Sequence, residues 1–167
     1  VVIDPNFNEP YILHLVECVT GSFVGNIRAE YEKILTDIAD KCFKFDVFTA
    51  EQTKDVINYI QNIYSDELEY LWRKFPDNAI VRRKDTQKWY TAFLTVSRSK
   101  LGFGSDGKVE ILNLRIRSAD IEKTVDGIKI LPGYHMNKKH WITVCLDGTV
   151  PMEEIRILID ESLQTGM

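Results

Sequence analysis

The sequence predicts an α+β fold: an antiparallel β-sheet packed on one face by helices, preceded by a β-hairpin and a helix of an amino-terminal unit. Three observations carry this. Two consecutive stretches near the amino terminus repeat apolar residues at helical spacing, short period-two strands dominate from Glu69 onward, and one more helical stripe closes the chain. Helices kept apart from strands argue against the alternating order of a doubly wound nucleotide fold.

Val1–Ile3 and Tyr11–Val16 are β-rich runs joined by a Pro- and Asn-containing turn, which predicts a small hairpin. Val24, Ile27, Tyr31, Ile34, Leu35, Ile38 and Cys42 then recur at three and four residues, the stripe of an amphipathic helix. Thr49 and Gln52 have capping-box spacing ahead of a second stripe formed by Val56, Ile57, Ile60, Ile63 and Tyr64. Tyr70 and Trp72 alternate with Leu71 and Arg73, which predicts a strand. Ala79–Arg83 and Lys88–Val96 flank Asp85–Thr86–Gln87 as a hairpin. The strand over Val109–Ile116 places Val109, Ile111, Asn113 and Arg115 on one face and Leu112, Leu114 and Ile116 on the other. A short helix opens at Ser118–Ile121, a last strand covers His140–Leu146, and Pro151 starts a closing helix with Ile155, Leu158 and Ile159 inward. The boundary between units falls around Lys44 to Phe48, giving domains at 1–46 and 47–167.

With 44% hydrophobic and 28% charged residues in 167, the chain can bury a core, which excludes wholesale disorder and a disulfide-built miniprotein. Cys18, Cys42 and Cys145 are odd in number, far apart and set in apolar runs, so buried thiols are expected in place of disulfides or a zinc site. A reducing compartment and a cytoplasmic protein follow. Apolar stretches fall far short of the roughly 20 residues that span a bilayer, so no membrane partner is expected. A first residue of Val in place of Met suggests a piece of a longer chain.

Net charge is −4, which taken whole argues against a nucleic-acid partner. By region it divides. Residues 68–141 hold fifteen Lys and Arg against eight Asp and Glu, a balance of +7, and the rest of the chain carries −11. Basic residues interleaved with Trp72, Phe75, Trp89, Tyr134 and Trp141 match what phosphate neutralisation with base stacking would use. Solvent-facing strands also carry Lys and Arg with no partner at all. The expectation is one basic sheet face with acidic helices behind it.

The run Leu131-Pro132-Gly133-Tyr134-His135-Met136-Asn137-Lys138-Lys139-His140-Trp141 is the least generic part of the sequence. Together with Leu71–Asp77, Lys88-Trp89-Tyr90, Lys100-Leu101-Gly102 and Leu146–Pro151, it resembles the MmcQ/YjbR family over about residues 50 to 165. Residues 1–45, with Gly25-Asn26-Ile27-Arg28 and Lys41-Cys42-Phe43, resemble the end of an extra amino-terminal domain of longer members. The resemblance implies a frataxin-like (CyaY-like) fold and a DNA-binding role in which β-hairpins contact the duplex. It carries over no catalytic residue. Frataxins bind iron through acidic surfaces, whereas this sheet segment is basic, so metal delivery is disfavoured.

On this reading the nucleic-acid contacts are Arg82, Arg83, Lys84 and Lys88 on the hairpin, with Asn137, Lys138, Lys139 and Trp141 after it. Binding would be weak and strongly salt-dependent, with a slope of roughly −0.9 per phosphate neutralised. Asn137 could meet a base edge, or could shape its own loop. The alternative is a protein- or small-ligand-interaction domain, with an aromatic pocket around Pro132–Trp141 that includes Trp72, Tyr134, His135 and His140. His135 and His140 are five apart, which suits neither one helical nor one strand face, so no metal is expected. No cofactor is implied, since Gly102–Gly107 lacks the Lys-Ser/Thr ending and the following helix of a phosphate loop. No nucleophile–base–acid set stands out, so a non-enzymatic protein is expected.

Overall fold

Tyr11 and His14 are three residues apart, a spacing that a strand would send to opposite faces. In the computed structural model, which describes residues 1–42, 47–104 and 106–165, the two rings instead stack at 5.9 Å. The hairpin is therefore shorter than the β-rich run suggested. It pairs β1 (Ile3–Asp4) with β2 (Glu9–Pro10), and Leu13–Leu15 winds into a 3-10 turn. The turn buries His14 edge-on to Tyr31 at 4.7 Å, while Tyr11 meets Phe23 at 5.8 Å. Both partners lie on α1 (Ser22–Cys42). Arg28 of the same helix donates to the carbonyls of His14, Val16 and Val19 at 2.9, 3.0 and 3.3 Å. The apolar stripe of α1 is buried at Val24 and exposed at Ile34, Leu35 and Ile38. Cys18 and Cys42 are exposed, contrary to the buried thiols expected, and only Cys145 is buried.

The chain divides into two compact units, Val1–Asp46 and Val47–Met167. The expected boundary lies partly on residues 43–46, outside the described residues. The second unit runs α2 (Glu51–Tyr64), β3 (Asn78–Arg82), β4 (Trp89–Ser97), β5 (Lys108–Arg115), α3 (Ile121–Thr124), β6 (Ile130–Pro132), β7 (Trp141–Cys145) and α4 (Met152–Thr165). Five strands form one antiparallel sheet in the order β3-β4-β5-β7-β6. The fold is α+β, as the sequence predicts.

Alternation along β5 sorts the two faces. Leu112 and Leu114 face α2 and α4, in a core with Val56, Ile60, Ile155 and Ile159. Val109 and Ile111 face the other way and join Val96, Leu131 and Cys145, covered by Leu101, Phe103 and Tyr134 from loops. This second face is largely apolar and covered, so it is not the basic face expected. Ile63, placed on the inner stripe of α2 by its spacing, is exposed.

Two strand assignments differ from the sequence reading. Only Glu69 of the Glu69–Arg73 run bridges the sheet, at Ile80; two turns follow, Phe75 N–H to Trp72 O at 3.0 Å and Asn78 N–H to Phe75 O at 3.1 Å. Pro76 sits between the donors of these turns and could not supply a ladder hydrogen bond. Conversely, β6 is a strand of three residues at the sheet edge, too short to leave a period.

The start of α2 is capped from a distance. Ala50 takes the N-cap position, and the carboxylate of Glu110 on β5 accepts the Thr49 N–H at 2.8 Å and the Ala50 N–H at 3.3 Å. Gln52, predicted to close a local capping box, spans instead to Val150 O at 2.7 Å and Gly148 N–H at 2.8 Å. Glu110→Ala is expected to cost about 1–2 kcal/mol, the range of a lost helix cap with a charged acceptor. Urea denaturation with an unchanged m-value measures it, and an unchanged midpoint would show that water replaces the cap.

Candidate functional site

The face of the sheet opposite the helices carries a cleft. Its floor is Ala92, Leu94 and Val96 of β4, which alternate outward on that face. Trp89 stands at the start of the strand, and Trp72 meets it edge-on at 5.7 Å and 84°. Phe75, in the double turn after Trp72, is 56% exposed and completes this wall.

The opposite wall is the loop after β6, fastened by a buried polar ring. Tyr134 N–H donates to Thr143 Oγ1 at 2.8 Å, Thr143 donates to Asn113 Oδ1 at 2.5 Å, and Asn113 Nδ2 returns to Tyr134 O at 3.0 Å. Asn113 and Thr143 are fully buried, and each satisfies the other because β5 and β7 place them directly opposite. Gly133 fits beneath because it has no side chain: a Cβ there would lie 2.8 Å from both Trp141 Cβ and Trp141 O. Next to Tyr134, His135 adopts a left-handed φ of 54°, and their rings meet at 4.3 Å.

Between the walls lies a cavity of about 580 Å³ lined by Trp72, Phe75, Trp89, Leu94, Val96, Tyr134, His135 and Met136, with Lys100, Lys108 and Asp77 also on its wall. That size falls within the range of pockets that take small ligands. A shallower cavity of about 490 Å³ shares Lys100, Tyr134, His135 and Met136 and adds Pro132 and Lys138. Among the pocket residues named from the sequence, Trp72, Tyr134 and His135 line the first of these two cavities. His140 does not; it is exposed, with Nδ1 2.9 Å from Ser118 Oγ.

Several of the nucleic-acid candidates are engaged by contacts within the protein. Arg83 bonds Asp85 at 2.6 and 2.8 Å and donates to the Leu163 carbonyl of α4. This pairing holds the Asp85 carboxyl well below its ordinary range. Lys84 donates to Ser65 O at 2.7 Å and lies 3.3 Å from the Asp66 carboxylate. Arg83 is thereby corrected from a phosphate contact to a helix anchor, and Lys84 anchors a second helix while its side chain stays exposed: their charges sit where the last carbonyls of α4 and α2 point. Arg82 pairs with Glu69 at 2.9 Å, with its guanidinium 5.8 Å from the Trp89 ring centre. Trp141 is corrected too. It is 6% exposed and lies under Arg115 at 4.8 Å, so no base can stack on it. Burial lowers the pKa of that arginine from its ordinary value and raises that of the Cys145 thiol to about 11. Asn137 Oδ1 accepts the Lys139 N–H at 3.0 Å, which makes it a loop-shaping residue. Lys88, Lys138 and Lys139 are exposed.

Phe75 was named from the sequence only among the interleaved aromatics, and Met136, Lys100, Lys108, Asn113 and Thr143 were not named as site residues. A signal existed for Asn113, a polar residue that follows Val109 and Ile111 on the same strand face. Among the described residues no group of three or more His, Cys, Asp or Glu is placed to hold a metal ion. No helix among them is long and apolar enough to cross a membrane.

Comparison with known proteins places the sheet unit. The YjbR family model matches residues 63–165. YyaQ of Bacillus subtilis (strain 168), named as uncharacterized, is 37% identical over 109 residues, 65% of this chain and 92% of that protein. YjbR of Escherichia coli (strain K12), also named as uncharacterized, is 49% identical over 38 residues, 23% of this chain and 32% of that one. A crystal structure of a Pseudomonas syringae protein superposes with a TM-score of 0.66 at 35% identity, covering 68% of this chain and 97% of its own. A solution structure from the same organism gives 0.63 at 35% identity, covering 69% and 92%. With more than half of its length matched by the family model, the chain belongs to the YjbR family.

Proposed function

We propose that this protein is a non-catalytic binding module whose ligand occupies the aromatic cleft on the sheet face opposite the helices. The observation that carries this is convergence: Trp72, Phe75, Trp89, Tyr134 and Met136, from three separate stretches of chain, line one cavity. Exposed aromatic side chains held at fixed geometry supply much contact area at low entropic cost. The cleft walls include His135, which among the described residues has no Ser or Cys in hydrogen-bond contact, and the Ser118–His140 pair lies elsewhere. Duplex binding is supported less well, because only Lys88, Lys138 and Lys139 of its eight residues remain uncommitted.

Titration with the neutral fluorophore N-phenyl-naphthylamine tests the cleft. Trp89→Ala is expected to weaken its binding about tenfold, the loss of roughly 1.5 kcal/mol of aromatic contact. Labelled duplex DNA at low salt is the parallel measurement. If duplex binds, if Lys138→Glu with Lys139→Glu abolishes that binding, and if the fluorophore ignores Trp89→Ala, the nucleic-acid reading replaces this one.

A further inference from the structure

The cleft is chemically asymmetric along β4. Trp89 and Trp72 mark its start, while Lys100 and Lys108 mark its end, where Ser97 pairs with Lys108 and Arg98 N–H bonds Gly107 O at 3.0 Å. Other cations of this region are already engaged: Arg82 with Glu69, Arg98 with Asp147 at 2.8 Å, and Arg115 with the Trp89 carbonyl and the Trp141 ring. The ammonium groups of Lys100 and Lys108 bond no protein acceptor among the described residues. Against these two cations the described lining residues set a single carboxylate, Asp77. Arg73, Lys74 and Lys88 are close in sequence to the aromatic end, but none of them lines the cavity.

Two free ammonium groups at one end of an apolar cleft favour a charge of opposite sign there, because the apolar walls displace water that would otherwise screen it. A wholly apolar ligand would leave that attraction unused. On the strength of the cleft reading, we infer that the ligand is a small amphipathic anion. Its planar or extended apolar body lies along Trp72, Trp89 and Leu94, and its carboxylate, sulfonate or phosphate meets Lys100 and Lys108. The cavity volume suits one such molecule, and its open rim at Phe75 gives a route in.

The test uses two fluorophores that differ by one charge: anilinonaphthalene sulfonate and N-phenyl-naphthylamine, which has the same rings without the sulfonate. The full chain is expected to prefer the anion about tenfold, the worth of roughly two partly exposed ion contacts. Lys100→Glu with Lys108→Glu should remove that preference while leaving the neutral probe within about twofold. Lys88→Glu with Lys139→Glu makes the same change in net charge outside the cleft, and should leave the preference intact. Lys100→Gln with Lys108→Gln serves if charge reversal unfolds the protein, with an intermediate loss expected. Equal affinity for both probes in the unmodified chain, or a preference that survives reversal at Lys100 and Lys108, overturns the anion. A preference lost equally in the Lys88 and Lys139 control also overturns it, since only general charge would then be at work. The cleft itself is judged separately, by whether the neutral probe responds to Trp89→Ala.

Discussion

Asn113→Ala is expected to lower the unfolding free energy by about 2–5 kcal/mol, since two polar groups, one of them fully buried, each lose a partner at a cost of roughly 1–3 kcal/mol. The orphans are the Thr143 hydroxyl and the Tyr134 carbonyl. Chemical denaturation measures the loss. A double-mutant cycle with Thr143→Val separates the ring from simple cavity formation, with a coupling of about 1 kcal/mol or more expected between the two positions. Additive single effects would show that the ring has no stability of its own. The same substitution should also weaken N-phenyl-naphthylamine binding, because the wall carrying Tyr134 and Met136 hangs on this ring.

Gly133→Ala is the second large effect. Introducing a Cβ in place of glycine ordinarily adds about 0.4–1 kcal/mol by restricting the unfolded chain. Here the added carbon would fall 2.8 Å from Trp141 Cβ and from the Trp141 carbonyl oxygen, neither of which is the far end of a flexible side chain. Overpacking of this kind costs about 1–3 kcal/mol, so the net sign is destabilising. A lower thermal midpoint together with altered tryptophan fluorescence is the expected result. Unchanged or increased stability would mean that the loop lifts off Trp141 freely.

The elements that could be read from the sequence are those whose partners are implied by their own period. The stripes of α2 and α4 and the two faces of β5 needed no knowledge of what lay across from them. Tyr70–Arg73 misled because an alternating aromatic pattern serves equally well in a turn, where Trp72 finds a ring on Trp89 in place of a ladder. The capping box misled for a related reason. Gln52 has the right spacing, yet Glu110, far away in sequence, delivers a stronger charged acceptor to the same helix end. Arg83 and Lys84 look like a solvated hairpin because the acceptors that tie them to the helix ends are backbone carbonyls, which leave no mark on composition. The cleft was legible in part. Trp72, Tyr134 and His135 could be named from the sequence, but their meeting over Leu94 and Val96 depends on a sheet that joins residues far apart in the chain.

The anchoring of α2 and α4 to one hairpin also bears on how the domain opens. Tyr64 and Ser65 at the end of α2, and Leu163 in the last turn of α4, hand their carbonyls to adjacent residues, Lys84 and Arg83. A fluctuation that lifts this turn strips both helix ends at the same moment. The ends of α2 and α4 and the hairpin tip therefore form one cooperative unit for amide hydrogen exchange, despite lying in three distant parts of the sequence.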